Sequence, residues 1–271
     1  MRIEAVTSLQ NPKIKELLAL QEKSGLRREK ALFVVEGVRE TRHCLDSGFE
    51  PDTIFVCPSI LGRADAAAAE WIYGSRARIV EITPEIYARV AYRGGTEGVM
   101  AEIKWKERRL DTLTLKPSPL IAVLEGVEKP GNLGAVLRSA DAAGADAVLI
   151  CDSPTDLYNP NLIRASIGAV FTVPTVCCTS EEATTFLKER GVRILTAQLQ
   201  DSELYYDADM KSGTAIVIGN EASGLTDIWR DAADAHVRIP MLGLADSLNV
   251  SAAATILVYE AVRQRIGKGI D

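Results

Sequence analysis

Short apolar runs bounded by turn residues recur through the second half of the chain. They occupy residues 120–124, 147–151, 172–176, 192–197, 215–218 and 237–239. Runs of this length without polar alternation are typical of strands buried on both faces of a parallel sheet. Helical segments separate the runs, so this half of the sequence predicts an α/β fold built on a parallel sheet.

The longest predicted helix begins near Leu248. Its apolar residues return every three or four positions, which is the spacing of one buried helix face. These residues are Val250, Ala253, Ala254, Leu257, Val258 and Ala261. The loop from Met241 to Asp246 joins the preceding strand to this helix. Open α/β sheets place their ligands at such strand-to-helix loops.

The first half of the chain predicts a smaller α/β unit. Strand patterns cover residues 31–36, 53–57, 78–82 and 98–103, and helix patterns cover residues 37–47, 64–73 and 84–90. Residues 2–30 predict an N-terminal helical arm, with a helix beginning at Asn11-Pro12 because proline fits the first helical turn. A charged run and two prolines between residues 104 and 119 indicate a linker. We therefore expect domains at 1–109 and 120–271, joined by a linker at 110–119.

Composition excludes several classes of protein. No apolar run reaches the roughly 18 residues of a membrane span. The five cysteines form no CxxC pair, and two histidines add little to them, so we expect no structural metal site. An odd number of cysteines without a signal peptide indicates reduced thiols and a cytoplasmic protein with no membrane partner.

Charge is distributed unevenly along the chain. The net formal charge of −6 consists of +2 on residues 1–109 and −8 on residues 110–271. A surface that binds nucleic acid is therefore expected in the first part. Its candidate phosphate-binding side chains are Lys13, Lys15, Arg27, Arg28 and Arg93. A solvated charged helix is the alternative for the first four, and a plain turn is the alternative for the glycine-rich loop that contains Arg93.

Three polar segments follow strands of the second half. The first contains Asn132 and, six residues later, Arg138; the second is Gly219-Asn220-Glu221-Ala222-Ser223-Gly224-Leu225. The third is Ile239-Pro240-Met241 together with Ser247-Leu248-Asn249-Val250-Ser251. A strand that leads directly into a glycine-bounded turn is a common ligand-binding geometry. Helix capping by Ser247 and Asn249, and a surface ion pair for Arg138, are the plainer alternatives.

In this order, the three segments resemble the three sequence motifs of the SpoU (TrmH-like) family of RNA ribose 2′-O-methyltransferases, in the SPOUT superfamily. Three departures from the family pattern are visible: Lys129 stands where family members often have Asp, Glu125-Gly126 replaces a more variable segment, and Ala222 stands where glycine is common. The resemblance implies a C-terminal α/β knot, a parallel sheet tied in a trefoil by the chain from Gly219 onward. It also implies that the N-terminal module is a substrate-binding α/β domain similar to ribosomal protein L30e, and residues 33–37 resemble the entry of that domain.

The resemblance further implies a chemistry and assigns residues to it. The expected reaction moves a methyl group from S-adenosyl-L-methionine to a ribose 2′-hydroxyl of RNA, preferably ribosomal RNA, in a homodimer formed through the C-terminal domain. Arg138 would be the essential catalytic residue, and a positioning or phosphate-assisted role is physically easier for it because arginine is a poor base. Its helpers would be Asn132, Glu221, Ser247 and Asn249. The cofactor would rest on Thr196, Ala197, Gly219, Asn220, Ile239, Met241, Leu248 and Asn249.

Other functions compete with this interpretation. A transfer-RNA 2′-O-methyltransferase would use the same motifs, and a non-enzymatic RNA-binding protein would need only the N-terminal module. The presence of Arg138, Glu221 and Asn249 disfavours the non-enzymatic alternative. A Rossmann-type methyltransferase or dehydrogenase should carry a GxGxxG turn after its first strand, and the chain contains no such turn.

Overall fold

A computed structural model describes residues 3–64, 66–92 and 97–266. The chain divides into two compact units. The first comprises residues 1–107 together with 156–168, and the second comprises residues 108–155 together with 169–271. Residues 156–168, which the sequence pattern predicts in the C-terminal domain, belong to the first unit in the structure.

The first unit is built on a five-stranded sheet with the order β1-β4-β3-β5-β2. β1, β4 and β3 are parallel, and β5 is antiparallel to β3 and β2. The strands are β1 (Glu4–Val6), β2 (Leu32–Glu36), β3 (Pro51–Val56), β4 (Arg78–Ile82) and β5 (Val99–Lys104). The helices, numbered in chain order, are α1 (Pro12–Glu22), α2 (Ser24–Lys30), α3 (Val38–Asp46), α4 (Pro58–Ala64), α5 (Ala66–Tyr73), α6 (Pro84–Val90) and α8 (Pro160–Ala165).

The helices predicted within residues 2–30 are present as α1 and α2, and a short strand precedes them. Residues 4–6 form β1 and pair with β4. α1 begins at Pro12 as predicted, with the Asn11 side chain accepting a hydrogen bond from the Lys13 backbone N–H, but its apolar side is buried. Ile14 and Leu17 lie in the core of the first unit. Burial of this apolar stripe holds the N-terminal helix in the unit.

Residues 156–168 are held in the first unit by a buried ion pair and a ring stack. The Arg27 side chain is 2% exposed and donates from Nε to Asp156 Oδ2 at 2.7 Å. The Tyr158 ring stacks on Phe33 with centroids 4.1 Å apart and 8° between the planes. A buried charge that has lost water needs its partner, so this ion pair specifies the location of the segment.

The second unit is built on a seven-stranded sheet with the order β10-β12-β9-β11-β6-β7-β8, and every pairing is parallel. The strands are β6 (Leu120–Glu125), β7 (Ala147–Cys151), β8 (Thr175–Cys178), β9 (Arg193–Ala197), β10 (Glu203–Leu204), β11 (Thr214–Ile218) and β12 (Ala235–Arg238). The helices are α7 (Pro130–Ala142), α9 (Ala169–Thr172), α10 (Ser180–Glu189), α11 (Asp227–Ala232) and α12 (Val250–Arg265), with a 3₁₀ turn at Leu110–Thr112. The predicted parallel α/β sheet is confirmed, and the threading of a knot stays a prediction.

Two boundaries of the second unit differ from the prediction. The strand expected at 172–176 begins at Thr175, because residues 169–172 complete a short helix first. α12 begins at Val250, since Asn249 is its N-cap and accepts the Ser251 backbone N–H. The predicted buried face of α12 is confirmed except at Ala253, which is half-buried. Within the described residues, none of the helices combines the length and apolar character needed to cross a membrane.

Candidate active site and cofactor pocket

A pocket of about 440 Å³ lies where the carboxyl ends of β9, β11 and β12 meet. This volume is within the usual range for small-molecule sites, and this edge of a parallel sheet is where such sites occur. Three loops supply most of the wall: residues 197–200 after β9, residues 219–225 after β11, and residues 239–248 after β12. Val250, Ala253 and Leu257 of α12 also line the pocket, which explains why Ala253 is not fully covered by protein.

The turn after β11 closes tightly on itself. A Cβ atom on Gly219 would lie 2.2 Å from the Gly224 carbonyl oxygen, so only glycine fits there. The Asn220 side-chain oxygen accepts the backbone N–H groups of Ala222 and Ser223 at 2.9 and 2.8 Å. The Asn220 amide therefore builds the turn, and Ala222, where the family often has glycine, is accommodated as an exposed residue.

A buried polar network fixes the end of this turn to β6. Glu125 is 4% exposed and accepts both the backbone N–H of Thr226 at 2.8 Å and its hydroxyl at 2.6 Å. The Trp229 indole N–H donates to the Ser180 hydroxyl at 2.8 Å, and that hydroxyl also lies 3.3 Å from Glu125. Because each buried polar group has a partner, the network adds rigidity under the pocket.

A second polar cluster joins the three predicted motifs at the pocket. We call Lys129, Asn132, Glu221 and Asn249 the Glu221 cluster. Glu221 Oε1 accepts the Asn132 amide at 3.1 Å and the Asn249 amide at 3.0 Å, while Oε2 accepts the Lys129 ammonium at 3.0 Å. The Asn249 amide also donates to Asn132 Oδ1 at 3.2 Å. Asn132 and Asn249, which are 117 positions apart in the sequence, thus meet around one carboxylate.

The Glu221 carboxylate is an acceptor of hydrogen bonds. The hydrogen bond and positive charge of Lys129, helped by the Asn132 amide, hold the pKa of Glu221 below its ordinary value. The group is therefore ionised at neutral pH and orients three donors at once. Asn249 serves two purposes, because its amide N–H groups face the cluster while its Oδ1 caps α12.

The predicted catalytic residues do not all converge in one chain. Asn132, Glu221 and Asn249 lie together, and Ser247 lines the pocket with its hydroxyl donating to Asp246 at 3.2 Å. Arg138 is exposed on α7 and lines a different cavity, beside Ser139, Thr255 and Tyr259. It lies about 9 Å farther along the helix than Asn132, as the 1.5 Å rise per residue requires.

Six of the predicted cofactor-binding residues line the pocket: Ala197, Gly219, Asn220, Ile239, Met241 and Leu248. Thr196 is fully buried instead, with its hydroxyl 2.6 Å from His236 Nδ1. Successive strand residues face opposite sides of a sheet, so Thr196 and Ala197 cannot both face the pocket. Asn249 is committed to the Glu221 cluster.

The predicted phosphate-binding residues have different surroundings. Lys15 and Arg28 are exposed on α1 and α2, and Lys13 forms an ion pair with Glu4. Arg27 is buried against Asp156, which removes it from any phosphate-binding surface. Arg93 lies outside the described residues.

Two residues at the site were not selected by the sequence analysis. Lys129 was noted only as a departure from a family pattern, although its place three residues before Asn132 was a usable signal. Gln198 follows β9 and lines the pocket. Its amide nitrogen donates to the Gln200 carbonyl at 2.9 Å, which leaves Oε1 shielded from solvent and without a partner among the described residues. Nothing in the sequence distinguished Gln198 from an ordinary loop glutamine.

The fold and site together define a two-unit α/β protein with a pocket at the carboxyl edge of a parallel sheet, bordered by a carboxylate and two amides. The SpoU rRNA methylase family profile matches residues 119–259, and the profile of the MRM3-like substrate binding domain matches residues 11–101. The chain belongs to the SpoU rRNA methylase family, and its predicted N-terminal substrate-binding domain is confirmed.

Two described relatives and a solved structure are similar to this chain over most of its length. A 23S rRNA (uridine(2479)-2′-O)-methyltransferase of Streptomyces viridochromogenes is 30% identical over 94% of this chain and 91% of its own length. A 23S rRNA (guanosine-2′-O-)-methyltransferase of Vibrio vulnificus, RlmB, is 32% identical over 86% of this chain and 97% of its own. The crystal structure of an AdoMet-bound rRNA methyltransferase from Sinorhizobium meliloti has a TM-score of 0.88 and 28% identity, covering 98% of this chain and 99% of that one.

Proposed function

We propose that the protein transfers a methyl group from S-adenosyl-L-methionine to a ribose 2′-hydroxyl of ribosomal RNA. The observation that carries this proposal is the Glu221 cluster, in which residues of the three family motifs meet beside a pocket of cofactor size. The two curated relatives act on different nucleosides, a uridine and a guanosine, but both on the 2′-oxygen. The sugar rather than the base is therefore the common feature of the substrate.

The residues of the pocket fit S-adenosyl-L-methionine. Leu199, Ile218, Leu225 and Ile239 provide apolar surface for a flat base. Gln198 Oε1 has no donor among the described residues and suits an amino group, since an unpaired buried acceptor costs free energy until it finds a donor. Arg230 and Arg238 line the same pocket and suit the carboxylate of an amino-acid tail.

When bound, the cofactor supplies an electrophilic methyl group. The chain supplies position: the loops after β9, β11 and β12 hold the cofactor, and the Glu221 cluster holds the acceptor. Glu221 and Asn249 fix the Asn132 amide so that its second N–H group can hold a ribose oxygen, whereas both N–H groups of Asn249 are donated within the cluster. Alignment of two reactants in this way accounts for several kcal/mol of barrier lowering in oriented reactions, roughly 7–11 kcal/mol at best.

Arg138 reaches the acceptor site, in this proposal, through a homodimer. Arg138 lies in a surface cavity between α7 and α12, where the exposed Tyr259 and the small residues Ala135 and Ala142 permit close packing. A second copy seated on this face would bring one Arg138 toward the other chain. Sedimentation should then give a dimer for the wild type and a monomer for Tyr259→Glu. A wild-type monomer at micromolar concentration would contradict the proposal.

The N-terminal unit is proposed to bind RNA through its exposed cations, and the cytoplasmic location stays a prediction. Transfer of a labelled methyl group from S-adenosyl-L-methionine to unmodified 23S rRNA, with transfer RNA in parallel, tests the function. We expect labelled 23S rRNA and unlabelled transfer RNA. Labelling of transfer RNA alone would support the transfer-RNA alternative, and RNA binding without any transfer would support a non-enzymatic protein.

A further inference from the structure

Lys129 brings a positive charge to the edge of the Glu221 cluster. It is the N-cap residue of α7, directly before Pro130, so its backbone is fixed by the start of the helix. Its side chain is 75% exposed, and its ammonium lies 3.0 Å from Glu221 Oε2. An ammonium has three N–H donors, and Glu221 accepts one of them in this geometry.

The surroundings of Lys129 are unfavourable for a polyanion. Residues 110–271 carry a net charge of −8, and Glu221 is ionised at neutral pH, with the hydrogen bond and charge of Lys129 holding its pKa below the ordinary value. A ribose held by the second N–H group of the Asn132 amide would bring its own 3′-phosphate close to this carboxylate, since the 2′-oxygen and the 3′-phosphate are attached to neighbouring carbons of one sugar. Two anions a few ångströms apart repel each other unless a cation lies between them.

We propose that Lys129 allows RNA to bind at the Glu221 cluster by offsetting the repulsion between the Glu221 carboxylate and the RNA phosphate. It neutralises the Glu221 carboxylate with one N–H group and donates another to the phosphate next to the target ribose. The inference rests on the proposed function, because it takes the target ribose to lie at the Glu221 cluster. It assigns to Lys129 a phosphate-binding role inside the acidic unit, separate from the exposed cations of the N-terminal unit.

Four variants of the full-length chain test this role: Lys129→Gln, Lys129→Arg, Lys129→Gln combined with Glu221→Gln, and the control Lys211→Gln. Lys211 is exposed in the same unit and does not line the pocket. Filter binding to an unmodified 23S rRNA transcript at several salt concentrations gives the affinity and its salt dependence. Calorimetry with S-adenosyl-L-methionine shows whether each variant keeps a folded pocket.

Lys129→Gln is expected to weaken RNA binding about tenfold, mainly because the Glu221 carboxylate is left uncompensated beside the RNA, and to reduce the salt slope by about one, because one phosphate contact is lost. Lys129→Arg keeps the charge and should stay within about twofold of the wild type. The double variant should recover much of the lost affinity, since no uncompensated carboxylate remains. Lys211→Gln should match the wild type, and cofactor affinity should be unchanged in Lys129→Gln, Lys129→Arg and Lys211→Gln, because neither lysine lines the pocket.

Two results would overturn the inference. The first is a Lys129→Gln variant with wild-type RNA affinity and salt slope. The second is a double variant that binds RNA as weakly as Lys129→Gln alone. Failure of the proposed function looks different, because the wild type itself would then bind no S-adenosyl-L-methionine or transfer no methyl group.

Discussion

At the scale of single residues, the residues that position the site's hydrogen-bond donors are distinct from the residue expected to assist methyl transfer. Glu221, Asn132 and Asn249 hold one another, and the low pKa of Glu221 keeps it ionised and unsuited to taking a proton. Arg138 stands apart on the surface of α7. Loss of Arg138 should therefore change the rate of the chemical step and leave cofactor binding intact.

Arg138→Ala is predicted to lower kcat at least a hundredfold while S-adenosyl-L-methionine binds with nearly wild-type affinity. Methyl-transfer kinetics and calorimetry measure the two effects separately. The matched control is Arg109→Ala, because Arg109 is exposed in the same unit and forms a surface ion pair with Asp111. Wild-type turnover by Arg138→Ala would reduce Arg138 to an ordinary surface residue.

Gly219→Ala is predicted to abolish cofactor binding. Its Cβ would be 2.2 Å from the Gly224 carbonyl oxygen, so the turn that lines the pocket could not close. Gly131→Ala is the control, because a Cβ there meets nothing within 4 Å. Calorimetry measures the affinity of both variants for S-adenosyl-L-methionine. Tight binding of the cofactor by Gly219→Ala would mean that the turn is not part of the cofactor site.

At the scale of secondary-structure elements, the sequence predicted the strands and helices whose boundaries are set by a clear apolar run or a starting proline. β7, β4 and α6 begin and end where expected, because β7 is an uninterrupted buried run, β4 has a buried apolar centre at Ile79 and Val80, and α6 starts at a proline. β1 and β10 have only three and two residues, which is too short for any periodicity to appear. Arg27 was misassigned because burial of a charge depends on a distant partner, Asp156, which no local pattern reveals.

Glu102 on β5 is predicted to make the stability of the first unit depend on pH. Burial, with repulsion from Glu16 and Asp52, raises its pKa from 4.5 to about 8. Between these values the folded chain keeps a proton that the unfolded chain has lost, so stability falls as pH rises from about 4.5 to about 8. Its Oε1 also has no partner among the described residues.

Glu102→Gln should remove this loss and make the protein more stable than the wild type at pH 8, by an amount on the order of 3 kcal/mol. Urea unfolding at pH 6 and pH 8 measures the effect. Glu107→Gln, at an exposed position, should leave the pH dependence of the wild type unchanged. If Glu102→Gln keeps the wild-type pH dependence of the free energy of unfolding, another group causes that dependence.

At the scale of the whole molecule, charge and chemistry are divided between the two units. The exposed cations of α1 and α2 belong to the unit that matches a substrate-binding domain, and the pocket belongs to the unit that matches the methylase family. Phosphate contacts contribute affinity that weakens with salt and is largely independent of sequence. The N-terminal unit is therefore expected to supply RNA affinity, and the C-terminal unit the reaction.

Arg27 and Arg28 are adjacent in sequence and should respond differently to substitution. Arg28→Ala should weaken RNA binding and its salt dependence slightly, with unchanged stability, because Arg28 is exposed. Arg27→Ala should destabilise the protein by roughly 3–5 kcal/mol, because it leaves the buried Asp156 carboxylate without its partner. Thermal unfolding and filter binding distinguish the two effects, and a stable Arg27→Ala variant that binds RNA weakly would reverse these roles.

Locating the transferred methyl group tests the proposed chemistry most directly. Unmodified 23S rRNA would be incubated with the full-length protein and S-adenosyl-L-methionine, digested to nucleosides and analysed by mass spectrometry, with Arg138→Ala as the inactive control. The proposed function predicts one 2′-O-methylated nucleoside, whose methyl group remains on the sugar fragment, and none with the control. A methyl group on a base, or equal methylation by Arg138→Ala, would contradict it.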